Sequence, residues 1–423
     1  MDNKIFTVAI IGVGARGANS YGRNMMKCPD KFRIVSLCDV NEKRLSLYGQ
    51  EFGVDESERF VHETDFFTKK RADLLVIATQ DQDHVRQCIK AFELGYDVLL
   101  EKPITDKWEE CERLLSAQKA YNRKALVCHV LRYAPAFVQA AQLIKDGAIG
   151  QLIAINALER VRYSHQAHSF VRGNWRNSQE TTPMILQKCC HDLDLLQYYA
   201  NSKCVSVSSI GELSYFTPDN APVNSAARCV DCQLQNSCPY SAVRIYVERW
   251  KKAGSPADQW PHNTLVTAPT TEEKLMDVLS KGPYGRCVYR CDNNVVDHQL
   301  VNMTFENGVK ASLTMTAFTA DEGRRITFFG TLGEIVLEQQ ENAITLHKFG
   351  EEKKVLPIKT YQDGGYGHGG GDYFIIEDCY RMLSSGTQSE TSLETSVESH
   401  LIGIAAEQSR LEGGKLVALH KSI

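Results

Sequence analysis

The chain has 423 residues, of which 43% are hydrophobic and 24% charged, and its formal net charge is −4. This length exceeds what one hydrophobic core usually supports, so we expect two domains. The slightly acidic balance offers no basic field to nucleic acid or to an anionic membrane, and we expect neither partner. The first residues do not resemble a secretory leader, and no apolar run approaches the roughly 20 residues of a membrane-spanning helix. We therefore expect a cytoplasmic protein.

Strand-like and helix-like segments alternate over the first 130 residues. Apolar runs predict strands at 7–11, 34–38, 74–78, 98–100 and 125–129, and the segments between them predict helices, among them 85–94 and 108–121. Strands that alternate with helices form parallel sheets through right-handed crossovers. Residues 1–130 are therefore predicted to form a doubly wound Rossmann domain of the α/β class.

The remaining residues, 131–423, predict a second α/β domain. A strand is expected at 151–162 and a helix at 187–199. Residues 300–346 contain stretches in which apolar and polar side chains alternate, which predicts a mostly antiparallel sheet. A glycine-rich loop at 364–371 precedes a helix expected at 372–383.

A Gly-x-Gly-x-x-Gly motif directly follows the first predicted strand and opens a helix. Gly12 allows a tight turn, Gly14 lets the backbone approach a pyrophosphate, and Gly17 lets helix and strand pack closely. Asp39 ends the next strand, where a carboxylate binds the ribose hydroxyls of a dinucleotide. The same carboxylate would repel a 2′-phosphate, so the motif favours NAD over NADP, although Arg16 is a nearby cation.

Two further motifs follow the third and fourth strands. Thr79-Gln80, with His84 close behind, follows the third, and Glu101-Lys102-Pro103 follows the fourth. With the glycine motif, these segments resemble the nucleotide-binding signatures of the Gfo/Idh/MocA family. The resemblance extends through segments 146–150, 175–176 and 191–195 to the closing region, and so covers nearly the whole chain.

This resemblance implies an NAD-dependent oxidoreductase that transfers a hydride at a carbinol carbon of a sugar, glycoside or polyol. It also implies that the second sheet is large and open, and that it mediates assembly into a homo-dimer or homo-tetramer. The cofactor-binding residues implied by the motifs together are Gly12, Gly14, Arg16, Gly17, Asp39, Thr79, Gln80, His84, Glu101 and Lys102.

The resemblance also assigns catalytic roles. Lys102 would point beside the nicotinamide and stabilise a developing alkoxide, and His191 would take the hydroxyl proton. Many relatives carry Asp four residues before this histidine, but here that position is Gln187. Lys188, expected on the same helix face as His191, would then bind substrate or take over proton handling; a solvated lysine is the alternative.

The same resemblance implies a substrate-binding set. Within it, His368 lies in the segment Gly367–Asp372, which resembles a loop of NAD-dependent glycosidases in the family, and the plain alternative is a helix start capped by Asp372. The expected substrate-binding residues are Arg132, Trp175, Arg176, Gln187, Lys188 and His368.

Five cysteines lie in an expected insertion at about 215–295. Cys229, Cys232 and Cys238 are closely spaced, and Cys287 follows about fifty residues later, with Cys291 as a substitute. Four thiolates form a tetrahedral zinc site, so the spacing is compatible with one structural zinc. An iron–sulfur cluster could use similar spacing, and free thiols remain an equal alternative.

Three functions remain open at this point. The first is a dehydrogenase, in which net NADH accumulates. The second is a glycosidase or lyase that oxidises its substrate transiently, eliminates a substituent and regenerates bound NAD, so that no NADH accumulates. The third is a nicotinamide-binding regulator without chemistry, which the presence of both Lys102 and His191 disfavours.

Overall fold

The computed structural model describes residues 4–358 and 367–420. The N-terminal sheet has six parallel strands in the order β3-β2-β1-β4-β5-β6. This order confirms the predicted Rossmann fold. The strands are β1 Phe6–Ile11, β2 Phe32–Cys38, β3 Arg59–Phe60, β4 Leu74–Ile77, β5 Asp97–Leu100 and β6 Ala125–Val127.

The second sheet has nine strands in the order β14-β13-β12-β11-β7-β10-β9-β8-β15. All neighbours pair antiparallel except β7 and β10, which run parallel at the centre, so the sheet is mixed rather than purely antiparallel. These strands are β7 Leu152–Arg162, β8 Cys204–Glu212, β9 His298–Phe305, β10 Lys310–Thr319, β11 Gly323–Gly330, β12 Gly333–Glu338, β13 Ala343–Lys348, β14 Lys354–Pro357 and β15 Val417–Ala418.

Helices cover both faces of the first sheet and one face of the second. Three of the helical segments are wide turns of the π type, at Ala15–Gly22, Gln166–Arg172 and Val243–Glu248. The α-helices are Arg23–Met26, Glu42–Glu51, Glu63–Phe66, Asp81–Glu93, Trp108–Ala120, Pro135–Lys145, Tyr163–His165, Met184–Gln187, Cys190–Ala200, Arg249–Lys252, His262–Leu265, Glu272–Lys281, Gly371–Ser385 and Leu393–Leu411. Short 3-10 turns lie at Glu56–Glu58, Val130–Tyr133, Pro218–Asn220, Cys229–Asp231, Pro283–Gly285 and Gly367–Gly370.

The helix expected over residues 187–199 is broken. One helix ends at Gln187 and the next begins at Cys190, so Lys188 lies in the break. At this break the Gln187 carbonyl oxygen accepts a hydrogen bond of 3.0 Å from Lys102 Nζ. The prediction that Lys188 and His191 share one helix face was therefore wrong, because a side chain distant in sequence binds the backbone there.

The chain returns to the first sheet near its end. Ile375, Ile376, Cys379 and Met382, from the helix Gly371–Ser385, are buried in the same hydrophobic cluster as β1 and β2. The first sheet ends at Val127, close to the expected division at residue 130, yet this late helix completes its packing. Part of the expected glycine-rich loop, residues 364–366, lies outside the described residues.

The segment between β8 and β9 contains the expected insertion. It consists of short helical turns around a small hydrophobic cluster, with Tyr240, Tyr246, Trp250 and Leu275 among its buried members, and Ala167, Val171 and Ala317 from outside the segment complete this cluster. Its sole β-bridge among the described residues joins Arg228 to Arg286. Of the helices in the described parts of the chain, none has the length and apolar character to cross a membrane.

Candidate active site

The glycine loop leaves open space where a pyrophosphate would lie. Gly12 has a φ of +87°, and a Cβ there would come within 2.4 Å of the Ala78 carbonyl oxygen. A Cβ at Gly17 would lie 2.0 Å from the Gly12 carbonyl oxygen, so helix and strand approach too closely for any side chain. At Gly14 the nearest atom to such a Cβ is 3.8 Å away, on Arg44. The loop therefore fits a dinucleotide, with Gly14 facing the unfilled side.

Asp39 lies against this loop. Its Oδ2 accepts a 2.7 Å hydrogen bond from the Val13 amide, and its Oδ1 accepts one of 2.8 Å from the Asn41 amide. These two bonds fix the carboxylate at the end of β2, beside the glycine loop. The position is the one expected for a group that binds ribose hydroxyls.

Arg16 holds two carboxylates together. Its guanidinium lies 2.9 Å from Asp372 and also binds Glu101 and the Tyr21 hydroxyl. Burial by itself would raise the pKa of Glu101, but Arg16, among other neighbours, holds it below its ordinary value. Because both carboxylates neutralise Arg16, this side chain braces the fold here, and its charge is not free to attract a 2′-phosphate.

Hydrogen bonds of a histidine side chain connect the loops that follow β4 and β5. The buried His84 has Nδ1 2.7 Å from the Pro103 carbonyl oxygen and Nε2 3.2 Å from the Thr79 carbonyl oxygen. Gln80 is exposed at the start of the following helix. The structure thus brings the predicted residues of these two motifs to the same edge of the sheet, where a nicotinamide would lie.

Lys102 and His191 converge across the junction of the two domains. Lys102 Nζ binds the backbone at Gln187, four residues before His191. His191 is 7% exposed, and its Nδ1 has no hydrogen-bond partner among the described residues. Burial, and then Lys102, lower the pKa of His191 well below its ordinary value. The His191 imidazole is therefore neutral at neutral pH, with one unpartnered ring nitrogen among the described residues.

His368 belongs to the same group of side chains. Its ring lies 6.0 Å from the ring of His191, and its Nδ1 is 3.1 Å from Asp372 Oδ2. His368 has a φ of +54°, which a non-glycine residue rarely adopts, so this loop is held in an unusual conformation. His368 therefore lies beside His191, and it is positioned by the carboxylate of Asp372, which Arg16 also binds.

Lys188 lies in a chain of buried charges. Its Nζ is 3.3 Å from Glu159 and 3.2 Å from Glu322. Burial by itself would lower the pKa of Lys188, but these two carboxylates raise it, so the side chain stays cationic. Lys188 is thus held between two carboxylates, and its expected role in substrate binding or proton handling stays a prediction. Its partner Glu159 also contacts Arg324, which forms a paired hydrogen bond with Asp192.

The other expected substrate-binding residues already have partners. Arg132 is buried and forms paired hydrogen bonds with Asp194, and Gln187 donates to Asp81 at 2.6 Å. Arg176 pairs with Asp292 at 2.7 Å, and Trp175 packs against Phe170. None of these contacts tests substrate binding, so that assignment stays a prediction. Arg132 and Gln187 are nevertheless buried and engaged, which points to roles in positioning.

The cysteines are close together but do not form a metal site. Cys229, Cys232, Cys238 and Cys287 line one cavity of about 20 Å³ with the buried Arg172. Within the described residues, no group of three or more His, Cys, Asp or Glu side chains is arranged to hold a metal ion. Burial raises the pKa of the Cys238 and Cys287 thiols. The described residues therefore support neither zinc nor an iron–sulfur cluster here.

Several residues of this site were not found from the sequence. His165 Nδ1 is 2.6 Å from Glu322 Oε1, and the partly exposed Trp260 lies edge-on to the His165 ring. His165 follows β7, Glu322 lies in the turn between β10 and β11, and Trp260 belongs to the insertion. A histidine directly after a long strand was the available signal, but its partners are more than 90 residues away.

This combination of sheets and motifs defines the dinucleotide-binding oxidoreductase fold. Sequence profiles of one family match residues 6–129, described as an oxidoreductase family NAD-binding Rossmann fold, and residues 141–419, described as its C-terminal α/β domain. The chain belongs to the Gfo/Idh/MocA oxidoreductase family, as its motifs suggested.

Individual relatives are distant. The protein YteT of Bacillus subtilis is 22% identical over 404 residues, which cover 88% of each chain. The 2,7-anhydro-N-acetylneuraminate hydratase of Mediterraneibacter gnavus is 26% identical over 65% of this chain and 68% of its own. Among solved structures, the WlbA dehydrogenase of Bordetella pertussis in complex with NADH and UDP-GlcNAcA has a TM-score of 0.68 at 16% identity, covering 99% of this chain and 100% of that one. This likeness shows the fold.

Proposed function

We propose that this protein is an NAD-dependent oxidoreductase that transfers a hydride at a carbinol carbon of a sugar, glycoside or polyol. The observation that carries the proposal is the convergence of Lys102 and the neutral His191 at the edge of the sheet that bears the glycine loop. A regulator without chemistry would not need a half-buried lysine and a buried histidine in this group.

The residues support the two halves of such a reaction. NAD, when bound, accepts a hydride from the carbinol carbon. In this proposal His191 accepts the hydroxyl proton, which is supported by its neutral imidazole and by its unpartnered Nδ1 among the described residues. The Lys102 ammonium would stabilise negative charge on the same oxygen. Asp39 supports NAD over NADP, since its carboxylate would repel a 2′-phosphate.

A carbohydrate substrate is supported by the relatives and by Trp260. The hydratase relative acts on an anhydro sugar, by its name, and WlbA is bound to a nucleotide sugar. The indole of Trp260 is 44% exposed next to His165, which provides an apolar surface for the C–H face of a sugar ring.

The hydratase relative favours a second candidate, in which NAD stays bound and the substrate is only transiently oxidised. The two functions are separated by incubating the purified protein with NAD and a panel of inositols, aldoses and glycosides, while absorbance of NADH and substrate consumption are followed together. Stoichiometric NADH supports the dehydrogenase. Substrate consumption without NADH supports the transient oxidation. If the protein binds NAD but neither forms NADH nor consumes any compound of the panel, both candidate functions are contradicted.

A further inference from the structure

His165 forms a charge-assisted pair outside the Lys102–His191 group. Its Nδ1 lies 2.6 Å from Glu322 Oε1, its side chain is 16% exposed, and its Nε2 makes no hydrogen bond to any described residue. The ring stacks on Phe170 at 5.8 Å and meets Trp260 at 5.0 Å. A carboxylate on Nδ1 fixes the orientation of an imidazole and leaves Nε2 to exchange a proton.

Glu322 is itself held in place. Lys188 Nζ lies 3.2 Å from Glu322, and the buried Glu159 fixes Lys188 from the other side. Burial would raise the pKa of Glu322, but His165 and Lys188 hold it below its ordinary value. This carboxylate therefore remains an anion, as a group that orients an imidazole base must.

The pair is connected to the group around His191. Burial and then Lys188 lower the pKa of His165, with a smaller contribution from Lys102, and burial and then Lys102 lower that of His191. The backbone connects the groups directly, because Gln187 binds Lys102 and the next residue, Lys188, binds Glu322. The two consecutive residues Gln187 and Lys188 therefore link Lys102 to the His165–Glu322 pair. Oxidation of a carbinol needs a single base, so the second imidazole is available for a proton on a neighbouring atom of the substrate.

We propose that His165 is a second catalytic base, which removes the proton from the carbon next to the carbonyl that hydride transfer creates. The C–H bond breaks, its proton moves to His165 Nε2, and its electron pair forms the enolate that the Lys102 ammonium stabilises. Return of the proton restores the ketone. Glu322 is the positioning residue. This inference rests on the second candidate under the proposed function, in which NAD stays bound, since the carbonyl arises in that transient redox step.

The test uses a ketone, so that no hydride transfer is needed. The NAD⁺-saturated protein is incubated in D₂O with methyl 3-keto-β-D-glucopyranoside, and deuterium uptake next to the carbonyl is followed by NMR. The wild type should catalyse uptake. His165→Gln should lower the rate by about 10²–10⁴-fold, the usual contribution of a positioned base. His191→Ala should retain uptake while losing oxidation of substrate, which separates the two bases.

Further variants distinguish a base from a structural residue. Imidazole added to His165→Ala should restore uptake in part. Glu322→Gln should move the acid limb of the uptake–pH profile to lower pH, because Glu322 raises the pKa of His165. His347→Gln is the matched control, since His347 pairs with Glu334 on the second sheet, on strands β13 and β12.

Two results would overturn the proposal. One is uptake by His165→Gln at the wild-type rate. The other is no uptake by the wild type. If that same wild-type protein accumulates NADH from a sugar or polyol, the proposed oxidoreductase function stands and only the second base is lost.

Discussion

At the scale of single residues, substitutions of Lys102 and His191 should lower turnover without weakening NAD binding. Lys102→Met and His191→Ala should each lower turnover by about 10²–10⁴-fold, because each removes a positioned group that acts on the hydroxyl oxygen or its proton. NAD affinity, measured by calorimetry, should change little, since the glycine loop and Asp39 are intact. Lys107→Met is a matched control, because Lys107 is exposed and pairs with Glu110. Near-wild-type turnover of Lys102→Met would contradict the assignment.

The pKa of His191 can be measured directly, without an activity assay. Burial and the nearby Lys102 both lower the pKa of His191, so its imidazole should remain neutral as the pH falls through 6.5. The substitution Lys102→Met removes a nearby cation and should raise the pKa of His191, although burial will still hold this pKa below the ordinary value. The check is NMR titration of the histidine ring protons in wild type and Lys102→Met, with His191→Ala to assign the signal. A titration midpoint at or above 6.5 in the wild type would refute this account.

Cofactor choice should depend on Asp39. The wild type should bind NAD more tightly than NADP, and Asp39→Ser should narrow the difference, because the carboxylate that repels a 2′-phosphate is gone. Fluorescence titration of both cofactors measures the ratio for each protein. Since Asp39 also binds the Val13 amide, a drop in NAD affinity is expected too. Tighter binding of NADP by the wild type would show that Asp39 has been assigned wrongly.

At the scale of elements, Arg16 connects the glycine loop, the Glu101-Lys102-Pro103 turn and the helix that begins at Gly371. Arg16→Met leaves the buried carboxylates Glu101 and Asp372 without their cation, and such a loss costs about 3–5 kcal/mol. Arg86→Met, in an exposed pair with Glu63, should cost about 1 kcal/mol or less. Denaturant unfolding measures both.

The pH dependence of this effect has a definite sign. Arg16 contributes to holding the pKa values of Glu101 and Asp372 below their ordinary values in the folded state. Stability from these groups is therefore present above the ordinary carboxyl range and is lost as the pH falls. The difference in unfolding free energy between wild type and Arg16→Met should shrink toward low pH. A difference that grows on acidification would contradict the pairing.

Sequence reasoning succeeded where structure is local. Alternating apolar runs and glycine spacing predicted the Rossmann sheet, and the glycine motif and Asp39 lie together as those patterns predicted. It failed at Lys188, because a side chain from another domain binds the backbone at the helix break. It also missed the His165–Glu322 pair and the parallel pairing of β7 with β10, since no periodicity records which distant segments will meet.

At the scale of the whole molecule, the outer face of the second sheet is the surface expected to join subunits. Ile210, Leu300 and Leu158 lie in one cross-strand row there, and Ile210 and Leu300 are 57% and 42% exposed. We expect a homo-dimer or homo-tetramer, and Leu300→Arg should dissociate it. Light scattering during gel filtration measures the mass, with Leu411→Arg, on an exposed helix end, as control. A monomeric wild type at micromolar concentration would contradict this expectation.

The late return of the helix Gly371–Ser385 has a consequence for biosynthesis. Domains generally fold in order as the chain leaves the ribosome. Here the first sheet lacks Ile375, Ile376, Cys379 and Met382 until almost the whole polypeptide has emerged. A nascent chain stalled after residue 130 would expose the apolar surface that this helix covers. Competence to bind the dinucleotide should therefore arise only after translation is nearly finished, and the two halves of the protein mature together.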